Sequence, residues 1–154
     1  MPIIKNQKSL NVILLFSIFA LFTAYFIQYS LGHQPCNLCL IERTPYISAI
    51  IIISLCLFFK KFERISLIIL SLIFFLATLI SFYHFGIEQG FIKESLVCDL
   101  VVENDFLTKE SLLNQLKEKT ISCKDVTFKI FGLSLATINI IISLLLSLIN
   151  IKLF

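Results

Sequence analysis

Three stretches of this chain run for more than twenty residues without a Lys, Arg, Asp or Glu: Leu10–Leu31, Ile65–Phe85 and Ile130–Ile151. At about 1.5 Å per helical residue, each covers the roughly 30 Å hydrocarbon core of a bilayer. Inside lipid a lone segment satisfies its backbone polar groups only as a helix, so each run predicts a membrane span. The first follows Lys5 and Lys8 as a signal peptide would, but its apolar stretch is too long and lacks a small-residue cleavage site. It reads as a retained span.

A fourth run, Thr44–Phe59, has 16 residues and reaches only about 24 Å as a helix. Beginning it near Cys39 gives about 21 residues, at the cost of placing Glu42 and Arg43 in the first turns and Pro45 inside the helix. Alternatively, Thr44 caps the helix and Pro45 takes its first position. Either way Cys39 lies at or just before a helix N-terminus. The expected spans are 10–31, 40–59, 65–85 and 128–150, in an all-α membrane domain covering 1–154 as one antiparallel four-helix bundle. With 58% hydrophobic and 15% charged residues and a mean hydropathy of +0.95, the chain is not a water-soluble enzyme. Its net charge of +3 comes from scattered basic residues that form no nucleic-acid-binding stripe.

Those basic residues set the expected orientation. Segments 1–9, 60–64 and 152–154 hold six Lys or Arg in 17 residues, against seven in 57 for segments 32–44 and 86–129. The positive-inside rule puts both termini in the cytoplasm and two loops, about 32–44 and 86–127, outside. In the longer loop Thr108 is a candidate cap for a short helix whose Leu112, Leu113 and Leu116 form an apolar stripe that packs on the bundle or rests at the lipid surface.

Four of the five cysteines fall in those outer loops. Cys36 and Cys39 make a Cys-x-x-Cys motif in the short loop, and Cys98 and Cys123 lie in the long one. An oxidising compartment preserves disulfides, so two pairs in two loops read as two disulfides. A Cys-x-x-Cys ring is a poor staple because it constrains little chain, and its value is chemical: two thiols that close together pass two electrons. Cys39, near a helix N-terminus and one turn before Arg43, is the candidate reactive thiolate. The Cys98–Cys123 loop is large enough to contribute roughly 3 to 4 kcal/mol as a structural bridge, so a purely structural role stays open there. Cys56, inside a span, reads as a small packing residue. A zinc centre built from the four loop cysteines is a minor alternative, and no resident metal is expected. Thiol catalysis with His33 or His84 as base lacks an orienting third group in the sequence. His84, at the outer end of the third span, reads first as an interfacial or helix-contact residue.

Taken together, the four spans, the Cys-x-x-Cys at the mouth of the second and the spaced pair in the second outer loop resemble the disulfide bond formation protein B (DsbB) family. The resemblance covers the whole chain. It is carried locally by Gln34-Pro-Cys-Asn-Leu-Cys-Leu-Ile-Glu-Arg43, by Cys98 and Cys123, and by the stretches His84–Gly90 and Phe131–Ala136. Vitamin K epoxide reductase relatives share the bundle, but their loop cysteines precede the Cys-x-x-Cys. Leu40 and Ile41 stand where many DsbB relatives carry aromatic residues, and the chain has no Trp.

The resemblance implies a multi-pass protein of the bacterial inner membrane that reoxidises a soluble thioredoxin-fold dithiol oxidase, DsbA-like, and passes the electrons to membrane quinone, ubiquinone or menaquinone. It further implies that Cys98 takes the mixed disulfide with the partner and that Cys123 moves to Cys36. Cys39 then donates to quinone, held near Arg43. The rival from another class is a four-span adaptor whose loops are fixed by two static disulfides.

Overall fold

The computed structural model describes residues 6–59, 62–93, 123–124, 129–130 and 132–154. Its helices are α1 (Gln7–Tyr29), α2 (Asn37–Ile41), α3 (Thr44–Phe59), α4 (Glu63–Glu88) and α5 (Leu135–Leu153), with a two-stranded hairpin, β1 (Lys129–Ile130) and β2 (Leu133–Ser134), just before α5. Four helical stretches among the described residues are long and apolar enough to cross a membrane: 7–29, 37–59, 63–88 and 135–153, the second being α2 and α3 together. The architecture is the expected all-α four-span bundle. Cys98 and the 108–119 segment lie outside the described residues.

The second span combines the two starts left open by the sequence. α2 begins at Asn37, Glu42 and Arg43 form a break, and α3 restarts at Thr44. Pro45 has no N–H to donate to the carbonyl four residues back, Ile41, and the hydroxyl of Thr44 takes that carbonyl instead at 2.8 Å. The short break carries the chain past a proline without an orphaned acceptor, and it turns Glu42 inward, where it is buried.

The fourth span begins later than 128, at Leu135. Gly132, at φ +83°, makes the turn between antiparallel β1 and β2, with Ile130 opposite Leu133. Ser134 then caps α5, its hydroxyl accepting the N–H of Thr137 at 3.2 Å. The uncharged run thus spans a hairpin and a helix, two structures that apolarity alone does not separate. At the end of α4, Gly90 (φ +76°) closes a Schellman motif: its N–H reaches the Ile87 carbonyl, and that of Phe91 reaches Gly86.

The main core joins Leu10 of α1, Ile53 and Cys56 of α3, Leu70 and Phe74 of α4, and Leu146 of α5. Cys56 is a buried packing residue there. α4 packs most extensively on α5 through small residues, and Ser71 and Ser147 bond reciprocally to each other's backbone carbonyls at 3.3 and 3.1 Å. Large apolar side chains such as Phe22, Phe58 and Phe82 point outward, as a lipid-facing surface requires. Asn6 ties one end together, its backbone N–H donating to Glu63 at 2.9 Å and its side-chain amide to the Leu153 carbonyl at 2.7 Å. The Cys-x-x-Cys segment, the end of α4 and the start of α5 meet at the opposite end.

Candidate active site

The Cys-x-x-Cys spacing is that of a helix cap to the third helical residue. Cys36 caps α2 with extended backbone (φ −71°, ψ 167°), and its sulfur accepts the N–H of Cys39 at 3.3 Å, the position a Ser or Asp oxygen usually fills. That cap brings the two sulfurs to 2.8 Å. Cys36 is buried and Cys39 half-buried. The Cys39 thiol bonded to it and then burial push the Cys36 thiol well above the ordinary thiol range, with His84 opposing them.

His84 reaches the pair from α4. Its Nε2 lies 3.6 Å from the Cys36 sulfur, and its Nδ1 is 2.9 Å from Glu42 Oε1. Both His84 and Glu42 are more than nine-tenths buried. The second Glu42 oxygen accepts from Asn139 Nδ2 at 3.1 Å, and that amide also donates to Ser81 Oγ at 2.8 Å. The phenol of Tyr46 donates to Asn139 Oδ1 at 2.6 Å. A thiol, an imidazole and a carboxylate are therefore strung in line and braced by α3, α4 and α5. The Nδ1 side of the imidazole is thus turned to a carboxylate and the Nε2 side to the sulfur. The third group that the sequence did not supply for His84 is Glu42.

Arg43 faces α1. Its Nη1 donates to Gln28 Oε1 at 2.6 Å, and its guanidinium lies over the Tyr25 ring at 5.0 Å from the centroid. Glu88, one turn beyond His84, places Oε1 3.7 Å from Nε2, while its Oε2 is buried with no hydrogen-bond partner among the described residues. Cys123 is buried in one cluster with Cys36, Leu38 and Ile87. Cys36, Cys39, Arg43, His84, Glu88 and Cys123 all border a cavity of about 310 Å³, whose far wall is apolar, with Phe16 and Ile142 among its residues. Of the site residues expected from sequence, Cys36, Cys39, Arg43 and Cys123 thus meet at one cavity.

The family model for the disulfide bond formation protein DsbB matches residues 6–153, nearly the whole chain. The chain belongs to the DsbB family. Membership, with four helices long and apolar enough to cross a membrane, places it among multi-pass membrane oxidoreductases of disulfide formation. It is similar to the uncharacterized protein RP370 of Rickettsia prowazekii (strain Madrid E), 29% identical over 142 residues that span 90% of this chain and 83% of that one. No solved structure matches the chain.

Within this DsbB-family bundle, the residues that sequence reading passed over are Glu42, Tyr46, Ser81, Glu88, Gln28 and Tyr25. Each is a polar or amphipathic residue within or just outside an apolar run, which is the one signal that marks it. Asn139 is a polar residue inside the uncharged run Ile130–Ile151, and a lone amide there has no evident partner until the helices are assembled.

Proposed function

We propose that this protein reoxidises a DsbA-like, thioredoxin-fold dithiol oxidase on the periplasmic side of the bacterial inner membrane and delivers the electron pair to membrane quinone. The observation that carries this reading is the convergence of a dithiol, a buried imidazole–carboxylate pair and an arginine on one largely apolar cavity within a membrane bundle. The cavity suits a hydrophobic ring with a polar edge: its wall is apolar, and its donors gather at one end. A quinone bound there accepts two electrons and two protons.

The rest of the chemistry belongs to the chain. The partner's thiolate attacks the Cys98–Cys123 disulfide, Cys98 takes the mixed disulfide, and Cys123 leaves toward Cys36, beside which it packs. Opening the Cys36–Cys39 bond onto Cys123 releases the Cys39 thiolate. The partner's second thiol then displaces Cys98, Cys98 takes back Cys123, and Cys36, released as a thiol, closes again onto Cys39 as the electron pair leaves. Arg43 keeps its proton and holds developing negative charge at the cavity's polar end. His84 Nε2 takes the proton when the Cys36 thiol must react, while Glu42 fixes the tautomer and stabilises the imidazolium. Thermodynamics favours a membrane acceptor. Refilling a partner couple near about −120 mV, against about −270 mV for a thioredoxin couple, demands roughly 7 kcal/mol more oxidising power.

The test is anaerobic mixing of purified protein with a short-chain quinone and a reduced thioredoxin-fold oxidase, following quinone absorbance and partner thiols together. Stoichiometric loss of both is expected. No quinone reduction with that partner or a small dithiol, in a protein whose outer cysteines stay bridged, would instead favour the static adaptor.

A further inference from the structure

One neighbour of the dithiol's His84, the buried Glu88, has no part in proton or electron transfer, and the groups around it are arranged as ligands are. One donor atom from each of Cys36, Cys39 and His84 lies within 4.8 Å of the others. The separation of 3.6 Å between Cys36 Sγ and His84 Nε2 matches that of two ligands on one tetrahedral zinc, about 3.5 Å from Zn–S and Zn–N bonds of roughly 2.3 and 2.0 Å. The two sulfurs, 2.8 Å apart, need to open by about 1 Å to share such an ion, a side-chain rotation on a helix cap.

Two further observations point the same way. The Glu42 carboxylate holds Nδ1 at 2.9 Å, leaving Nε2 to face the sulfurs, and Asn139 anchors that carboxylate in turn. This is the outer-shell pattern that orients a metal-binding imidazole. Glu88, its side chain 6% exposed, directs Oε1 to 3.7 Å from Nε2 and leaves Oε2 buried with no hydrogen-bond partner among the described residues. A buried carboxylate oxygen without a hydrogen bond is costly, and a cation relieves it.

We propose that, when Cys36 and Cys39 are reduced, this pocket binds a thiophilic divalent cation of the zinc class through Cys36 Sγ, Cys39 Sγ and His84 Nε2, the three donors already grouped there, with the Glu88 carboxylate moving in beside His84 to complete the set. The site stands on the reduced dithiol alone, whatever the electron acceptor is. Oxidation of the pair removes both thiolates and with them the site. An occupied site holds both thiols, so the metal inhibits turnover by trapping the reduced protein.

The experiment is a Co2+ titration of the full-length protein in detergent, reduced with a phosphine that does not bind metal, followed by visible absorption and then by Zn2+ displacement. Expected is one Co2+ per chain with the intense absorption of tetrahedral thiolate coordination, displaced by Zn2+ and absent from the oxidised protein. Glu42→Gln is expected to weaken binding about 10- to 100-fold, and His84→Ala at least as much. Glu88→Gln, which preserves shape, serves should His84→Ala not fold, and is expected to weaken binding and alter the spectrum. Equal affinity and spectrum in Glu88→Gln and either His84→Ala or Glu42→Gln would overturn the assignment. So would no binding to the reduced wild type, or binding retained in Cys36→Ser and lost in Cys123→Ser. Because the readout is absorption without quinone or partner, a negative result here leaves the redox reading intact, and failure of quinone reduction leaves the metal site intact.

Discussion

Two polar regions buried among the described residues of this bundle are built on opposite principles. Midway along α4 and α5, Ser71 and Ser147 each return their hydroxyl to a backbone carbonyl across one helix pair. At the cysteine end, Cys36, His84, Glu42, Asn139 and Tyr46 depend on one another's side chains, drawn from the α2 cap, the α2–α3 break, α4, α5 and α3. A serine in the first region loses one modest bond when changed, and its helix persists. A residue removed from the second strands a buried polar partner in low dielectric, where that loss is expensive. Polar groups satisfied by backbone hold a bundle together, whereas groups satisfied only by each other hold a site.

The sharpest break in that comparison comes from the cysteines. Cys39→Ser is expected to abolish quinone reduction with any dithiol, whereas Cys98→Ser blocks oxidation of the protein partner but leaves small-dithiol-driven quinone reduction partly intact. Parallel stopped-flow assays with the two electron donors separate these outcomes. Equal and complete loss of both activities in Cys98→Ser would mean that the long-loop pair is not a separable relay.

The acid–base line comes next. His84→Ala is expected to slow quinone-coupled turnover by on the order of a hundredfold, the lower range for a positioned general base. Asn139→Leu leaves one Glu42 oxygen and the Tyr46 phenol without their partner, so it should cost roughly 1–3 kcal/mol in stability and slow turnover less than His84→Ala. Turnover unaffected in Asn139→Leu, at reduced stability, would class the amide with the serines rather than with the site.

How much of this was legible in the sequence follows the same division. Long uncharged runs give the spans, because length against bilayer thickness is a local property, and the order of the cysteine pairs marks the redox chemistry. The expected start of the fourth span at 128 is too early because past Lys129 the hairpin that turns at Gly132 is as uncharged as the helix that follows. The His84–Glu42–Asn139 line was not legible. It depends on the rotation of three helices that are apolar on nearly every face, so no stripe reveals which side turns inward. Glu42 also sat beside the Pro45 break, where both possible starts for the helix looked acceptable.

Arg43→Lys is expected to be milder. A point charge replaces the planar fork that spans Gln28 and the cavity, so the KM for quinone should rise roughly tenfold with kcat little changed, which steady-state kinetics over a quinone series would reveal. An unchanged KM would confine Arg43 to anchoring α1 through Gln28 and Tyr25.

The smallest effect belongs to the serine pair, and it completes the contrast. Ser71→Ala removes one donor, but the Ser147 hydroxyl keeps its bond to the Ser71 carbonyl at 3.1 Å, so no buried group is stranded. Interhelical side-chain hydrogen bonds in membranes average about 0.6 kcal/mol in double-mutant cycles, and because the two hydroxyls also lie 3.3 Å from each other, the Ser71→Ala, Ser147→Ala cycle should give a coupling of that order in detergent unfolding. Turnover and quinone KM should match wild type. A coupling several times larger, or a kinetic defect, would show that the α4–α5 contact transmits to His84, which lies thirteen residues along the same helix. The boundary between a scaffold satisfied by its backbone and a site satisfied by side chains would then have to be redrawn along α4.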